Sequence, residues 1–295
     1  MQKNTALLFL GHGQVMFRPT SIKIDRAMLK RVKNAIKVLL GKSKAVSLEK
    51  KVTPYYCPVC AQKNVHFNQM SFSFFRKWDK YEFIHSVFLT ETMNMEFYTC
   101  SNCGAGDRDR LYALYFNKVN EQRSNTNDTQ KILDIAPAKQ LTQFLRTLKG
   151  YQVRTADLFM EGVDDKVDIT NMDAYAENSF DVFICSHVLE HINNDIKAME
   201  ELYRVLKKGG WGIAMVPINL GLQEVYENAA VQTEADRWKH FGQDDHVRMY
   251  SKQGFVNRLA SVGFNVQQLG IAFFGEDEFI KNGIHPRSVL YIVNK

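Results

Sequence analysis

No apolar run in the 295-residue chain approaches the roughly 18 residues that a membrane-crossing helix needs. A secretory leader is not expected either: residues 6–10 form too short an apolar core, and Gly11, His12 and Gly13 break it. A cytoplasmic protein is therefore expected. No internal repeat and no low-complexity tract occurs, so neither a solenoid nor a composition-driven disordered chain is expected. Cysteine is scarce, at five residues, and four of them form the pairs Cys57/Cys60 and Cys100/Cys103. Without an export signal, such pairs favour metal binding over a disulfide framework. Cys185 lies inside an apolar run and reads as a small core residue. What is present is an apolar fraction of 45%, sufficient for one substantial domain and a smaller one.

The formal charge of +6 is unevenly placed. Between Lys23 and Lys51 lie Lys23, Arg26, Lys30, Arg31, Lys33, Lys37, Lys42, Lys44, Lys50 and Lys51, opposed only by Asp25 and Glu49. Ile24, Met28, Val32, Ile36 and Leu39 recur near a 3.6-residue period, which predicts a basic amphipathic helix over 21–40 ending at Gly41. Its plain reading is a solvated arm with one face on the body. Contact with an anionic membrane surface or with RNA stays open.

Residues 53–120 differ in composition, with both cysteine pairs and an aromatic stretch (Phe67, Phe72, Phe74, Phe75, Trp78, Tyr81, Phe83, Phe88) between them. Two Cys-x-x-Cys knuckles supply four thiolates, enough for a closed tetrahedral structural zinc site, and Gly104 permits the turn after the second. The aromatic gap is expected to form strands around a mini-core. Neither pair opens a helix in a βαβ unit, which argues against a thioredoxin-like use. Asp107, Arg108, Asp109 and Arg110 then open a helix over 111–119 and are placed to tie this module to the C-terminal domain. Residues 121–130 are wholly polar and read as a linker. The expected organisation is an arm at 1–52, a zinc module at 53–120, a linker at 121–130 and a domain at 131–295.

From residue 131 onward, short apolar runs alternate with helical patterns: strands over 131–135, 151–156, 180–185, 211–216, 265–269 and 288–293, and helices over 139–148, 194–206 and 251–261. That alternation predicts an α/β fold with a doubly wound, Rossmann-like parallel sheet, whose ligands bind beyond the carboxyl ends of the strands. Acids stand there: Asp134 near the end of the first strand, Asp157 just past the second, and Asp168 in a Val-Asp-Ile-Thr segment. An acid after the second strand can accept from both ribose hydroxyls of a nucleotide. Asp168 can accept from an adenine amino group while Ile169 packs on the ring.

The run from Asn178 to His191 (Asn-Ser-Phe-Asp-Val-Phe-Ile-Cys-Ser-His-Val-Leu-Glu-His) is followed by Glu201-Leu-Tyr-Arg-Val-Leu-Lys-Lys-Gly-Gly210. Together they strongly resemble class I S-adenosylmethionine-dependent methyltransferases over 131–295. The resemblance implies a seven-stranded sheet, S-adenosyl-L-methionine as cofactor and methyl transfer as the activity. The family's first motif, D-x-G-x-G-x-G, reads here Asp134-Ile-Ala136-Pro137-Ala138-Lys-Gln. Alanine at the first two glycine positions, Ala136 and Ala138, restricts positive φ, and Pro137 removes a backbone donor. A scaffold that no longer takes cofactor is the reading this departure leaves open. Ser186, at the end of the fourth strand, joins the implied cofactor contacts. His187, two residues past that strand, is a candidate to face the methyl group, while His191 more often supports the fold in this family.

Phe241 to Tyr250 resembles an F-G-Q-x-D-H-V-R-x-Y segment of a bacterial subgroup of these enzymes. It lies where the fold usually covers its substrate. His246 is the first choice for general base or for positioning the acceptor, with Arg248 and Tyr250 as substrate contacts, and a polar loop stapling the following helix onto the sheet is the alternative. A cysteine module ahead of a methyltransferase domain also occurs in bacterial enzymes that modify ribosomal RNA, which makes RNA a candidate acceptor by analogy. The Asn/Asp-Pro-Pro-Tyr/Phe tetrapeptide of base N-methylating enzymes is absent, since Ser186-His187-Val188-Leu189 stands in its place. That tilts the expectation toward an oxygen of a small molecule or glycan precursor.

Overall fold

A computed structural model describes residues 54–123 and 128–295 of the chain. The basic arm, with its expected helix over 21–40, lies outside the described residues. From Thr53 to Lys295 the chain forms one compact unit.

The cysteine region holds four two-residue strands: β1 (Tyr56–Cys57), β2 (Gln62–Lys63), β3 (Phe67–Asn68) and β4 (Thr99–Cys100), paired as β1–β2 and β3–β4. Its own core is small. Cys57, Phe67, Cys100 and Ala105 are buried, with Tyr55 and Phe97 packed on Phe67. Of the aromatic gap, Phe67 alone joins a strand of that core. Phe72–Lys80 is a helix (α1), capped by Ser71, and none of its residues is buried. Phe72, Phe74, Phe75 and Trp78 recur at three- and four-residue intervals, a helical rather than a strand period.

The helix α2 (Asp107–Gln122) starts ahead of the position that the sequence suggests, with the Asp109 carboxylate accepting from the Gly106 N–H at 2.8 Å. Its Leu111, Tyr112, Ala113 and Phe116 join the main core, so this helix belongs to the sheet's body and residue 120 is not a boundary between compact units. Arg110, fully buried, donates to the carbonyls of Ala105 at 3.0 Å, Phe97 at 2.5 Å, Asn282 at 2.8 Å and Gly283 at 2.9 Å. One guanidinium thus ties the cysteine region to a C-terminal turn of the main body.

The main sheet contains β5 (Gln130–Ile135), β6 (Tyr151–Asp157), β7 (Asp165–Lys166), β8 (Phe180–Ser186), β9 (Leu206–Met215), β10 (Asn265–Leu269) and β11 (Leu290–Asn294). Their spatial order is β10-β11-β9-β8-β5-β6-β7. The strands from β7 to β9 are parallel, and β11 runs antiparallel to both neighbours. This is the seven-stranded, mostly parallel architecture expected. Its winding reverses between β5 and β8, which leaves a crevice at their carboxyl ends. The helices that complete it are α3 (Lys139–Thr147), α4 (Asp195–Val205), α5 (Glu234–Phe241), α6 (Lys252–Ser261), α7 (Ile271–Phe274) and α8 (Glu276–Lys281). Asn194, Thr233 and Ser251 cap α4, α5 and α6 by accepting a backbone N–H near each start. The Lys207-Lys208-Gly209-Gly210 stretch does not form a loop after α4. It continues into β9, where Gly209 and Gly210 pair with the Lys295 backbone and Gly209 takes φ +75°.

Candidate active site

At the crevice between β5 and β8 lies a cavity of about 440 Å³, walled by Ile135, Ala136, Asp157, Leu158, Phe159, Val167, Asp168, Ile169, His187, Val188, His191, Ile192 and Asp245. Asp157 ends β6, and one of its carboxylate oxygens accepts the N–H groups of Phe159 at 2.7 Å and Met160 at 2.6 Å. The other oxygen makes no hydrogen bond to a described residue. Asp168 likewise uses one oxygen to hold the Thr170 N–H and hydroxyl, both at 2.8 Å. Each acid therefore fixes its own turn with one oxygen and keeps the second. Phe159 is 82% exposed at the cavity mouth, beside half-exposed Leu158 and Met160. Nothing in the sequence except their position after Asp157 marks Leu158 and Phe159 as walls.

Ala136 stands at the floor with φ +50°, the left-handed conformation that glycine usually supplies. Alanine there costs on the order of 1 kcal/mol of strain, yet the turn has kept the shape. Ala138 occupies the cap position of α3 and does not line the cavity. Asp134 does not line it either. It is buried beneath the floor and accepts from the Thr142 hydroxyl at 2.7 Å, which anchors α3 to β5. Ser186 shares a hydrogen bond with the Tyr112 hydroxyl at 2.7 Å and contacts His187 Nδ1 at 3.3 Å. It too serves as a support behind the cavity wall.

Burial pushes the Asp134 carboxyl up to about 7 against the opposing Thr142 hydrogen bond. Folded Asp134 thus holds a proton that the unfolded chain has released. Its contribution to stability is complete below about pH 4 and is lost as pH rises toward 7. Asp134→Asn keeps an acceptor for Thr142 and cannot ionise. The variant should melt with the wild type near pH 4 and above it at pH 8. The gap should reach up to about 4 kcal/mol, since each tenfold change in proton affinity is worth roughly 1.4 kcal/mol. A stability difference that does not vary with pH would show Asp134 to be an ordinary carboxylate.

A second cavity, of about 300 Å³, adjoins the first at His187. Its walls come from distant segments: Met70, Phe74 and Trp78 around α1, Thr90, Thr92, Met93 and Asn94, Tyr98, then Asp107, Arg108, Pro217 and Gln243. The α1 segment is held there by α5. The Trp78 indole donates to the Gly242 carbonyl at 3.0 Å, Tyr81 stacks on Trp238 at 5.7 Å, and the Ile84 N–H donates to the Lys239 carbonyl at 3.0 Å. His187 is in the left-handed region at φ +58°, and its N–H donates to the Met215 carbonyl at 2.8 Å. Burial, with Arg108 next, holds its ring well below the ordinary histidine range. Burial also pushes the Asp107 carboxyl up, to about 6, although Arg108 and Arg110 oppose it.

The structure takes His246, Arg248 and Tyr250 away from both cavities. His246 is 4% exposed, its Nδ1 donates to the Phe241 carbonyl at 3.3 Å, and its ring stands edge-on to His191 at 4.7 Å. Burial lowers it to about 3, too weak a base for proton removal near neutrality. Arg248 is buried and donates to the carbonyls of Leu189 at 2.8 Å, Ile192 and Asn193, and to Glu227 at 2.5 Å. The Tyr250 hydroxyl donates to Asp195 at 2.5 Å. Both residues hold the loop after β8 in place and line neither cavity. Their charge and polarity mark them in the sequence, where burial cannot be seen.

The four paired cysteines converge. One sulfur from each lies within 4.8 Å of the others, and Cys57 Sγ is 3.8 Å from Cys103 Sγ. Thiolates about 2.3 Å from one tetrahedral zinc would be about 3.8 Å apart, so the donor set fits that ion. Asn102 donates to Cys60 Sγ at 3.4 Å, and Gly104, at φ +78°, lets its N–H reach the Cys100 carbonyl at 2.8 Å.

A doubly wound sheet with an acid-lined cavity at its switch point is the arrangement in which open α/β folds bind ligands. Comparison with known proteins narrows the class. Residues 107–269 match the family model described as a methyltransferase domain, and the chain belongs to that family. It is 48% identical over 54 residues to the ubiquinone/menaquinone biosynthesis C-methyltransferase UbiE of Hydrogenovibrio crunogenus, across 17% of this chain and 21% of that enzyme. The chain thus matches about a fifth of that relative's length. Among solved structures, it is similar to a SAM-dependent methyltransferase from Archaeoglobus fulgidus at 14% identity and a TM-score of 0.39, over 62% of this chain and 93% of that one. It is also similar to a putative methyltransferase from Bacillus halodurans at 15% identity and a TM-score of 0.36, over 60% and 94%.

Proposed function

We propose that the protein is an S-adenosylmethionine-dependent methyltransferase acting on a small acceptor bound in the 300 Å³ cavity. The observation that carries this reading is that the two cavities meet at His187, past the end of β8. In the donor cavity, Asp157 would accept from ribose hydroxyls, Asp168 from the adenine amino group, and Val167 and Ile169 would pack the ring. Ala136 is placed beside the methionine end, and Asp134, Ala138 and Ser186 support the wall around it. The bound donor supplies an electrophilic methyl group on a sulfonium. Transfer is an in-line displacement, so the chain's main contribution is alignment and exclusion of water. The acceptor's proton needs a base, and Asp107, at about 6, is better matched to neutral pH than His246.

Arg108 lines the acceptor cavity and makes no hydrogen bond or ion pair with a described residue. A half-buried guanidinium in that position favours an acceptor carrying a carboxylate or phosphate. The cavity's size favours a small molecule over folded RNA, whose support comes from the charge of residues 23–51. The cysteine module, by this reading, holds one structural zinc and braces the wall that α1 contributes.

Incubation with S-adenosylmethionine labelled on its methyl group, together with separate small-metabolite and RNA fractions, tests the acceptor class. Label is expected in small anionic compounds, and label confined to RNA would sink the reading. With the acceptor in hand, Asp107→Asn should lower kcat on the order of 100-fold and remove the acid limb of the pH profile near 6.

A further inference from the structure

Behind the wall of the donor cavity lies a group of side chains that the methyl-transfer reading does not use. Glu190 is 1% exposed, and neither of its carboxylate oxygens has a hydrogen-bond partner among the described residues. His246, 4% exposed, has an unpartnered Nε2. A buried polar atom left unpaired costs about 1–3 kcal/mol, and more for a carboxylate, so three such atoms in one place need an explanation. One ligand atom from each of Glu190, His191 and His246 lies within 4.8 Å of the others.

The remaining contacts have the form that ligating histidines take. His246 Nδ1 is occupied by the Phe241 carbonyl, which aims Nε2 away from it. His191 Nδ1 is 3.2 Å from an Asp245 carboxylate oxygen, and its Nε2 is 3.9 Å from Glu190 Oε1. A carbonyl or carboxylate on one ring nitrogen fixes the tautomer and turns the other nitrogen toward an ion. The backbone is braced as well: the Val247 N–H donates to the Glu190 carbonyl at 2.9 Å, and Arg248 clamps the carbonyls on either side. That bracing gives the buried polar segment from 246 to 250 a purpose its distance from substrate otherwise leaves unexplained.

We propose that Glu190, His191 and His246 bind one divalent transition-metal ion beside the donor cavity, separate from the four-cysteine site. Two imidazoles and one carboxylate suit zinc, iron, nickel or manganese, and leave coordination positions for water or a substrate oxygen. Ligands about 2.1 Å from such an ion stand about 3.4 Å apart, so closing on it takes a shift of about 1 Å from the present spread. His191 and Asp245 line the donor cavity, which puts the ion within its wall. Binding of the ion does not rest on the methyltransferase reading.

The test is metal content of the full chain after loading with zinc and removal of free ion. Wild type should hold one zinc more per chain than either Glu190→Gln or His246→Gln, and Cys57→Ser should not abolish that difference. Equal zinc in the wild type and in both folded variants would overturn the proposal. If a variant fails to fold, titration of wild type with Mn²⁺, followed by loss of the free-ion magnetic resonance signal, decides. One Mn²⁺ bound per chain supports the site, since thiolates disfavour that ion, and none overturns it. Calorimetric titration with S-adenosylmethionine reads the methyltransferase assignment separately, so either can fail alone.

Discussion

Replacing Asp157 with alanine should abolish measurable binding of S-adenosylmethionine. The side chain works twice: one oxygen holds the turn through the Phe159 and Met160 N–H groups, and the other is left for ligand. Hydrogen bonds from two ribose hydroxyls to a carboxylate are worth about 1.5–3 kcal/mol each, so their loss weakens affinity by at least about 100-fold. Asp157→Asn separates the two roles. Its amide oxygen can still accept from the turn, while its amino group cannot accept from a hydroxyl, so a smaller loss of roughly 30-fold is expected. Isothermal titration measures both variants. An unchanged dissociation constant in Asp157→Ala would remove this acid from the binding site, and no heat with the wild type would leave only the silent-scaffold reading.

Substituting Cys57 and Cys60 together with serine should release one zinc per chain and unfold the cysteine region. Its buried core is Cys57, Phe67, Cys100 and Ala105 with a few packed neighbours, too small to hold four two-residue strands unaided. Structural zinc sites are worth about 10–16 kcal/mol of apparent binding free energy, which dominates any apolar contribution here. The damage would spread, because Arg110 hydrogen-bonds carbonyls on both sides of the junction and α1 walls the acceptor cavity. Calorimetry should therefore show the wild type well above the double variant without chelator, and the two falling to a similar stability when a strong chelator is added to both. Equal melting with and without chelator would make the four thiols ordinary packing residues.

The sheet is legible in the sequence because its cause is local. Residues 131–135 and 180–185 are mostly apolar, as strands buried on both faces must be, and the polar intervals with their caps fix where helices begin. Asp157 and Asp168 are legible for the same reason, since a strand's end is also a carboxyl end. The aromatic stretch departs from the expected strands because its residues recur with a helical period. They pack against Trp238 and Gly242, residues distant in sequence.

The α/β alternation, the strand-end acids and the two cysteine pairs were legible in the sequence from spacing along the chain, and the methyltransferase family with its seven strands from the resemblance of residues 178–210. Only the tertiary structure decided which polar residues face a cavity. It buried Asp134, His246, Arg248 and Tyr250, brought Asp107 and Arg108 to the second cavity, and left Glu190 unpartnered beside two histidines. Burial and partnership depend on contacts between segments far apart in the chain, such as Arg248 to Leu189 and Trp78 to Gly242, and no local pattern carries that information.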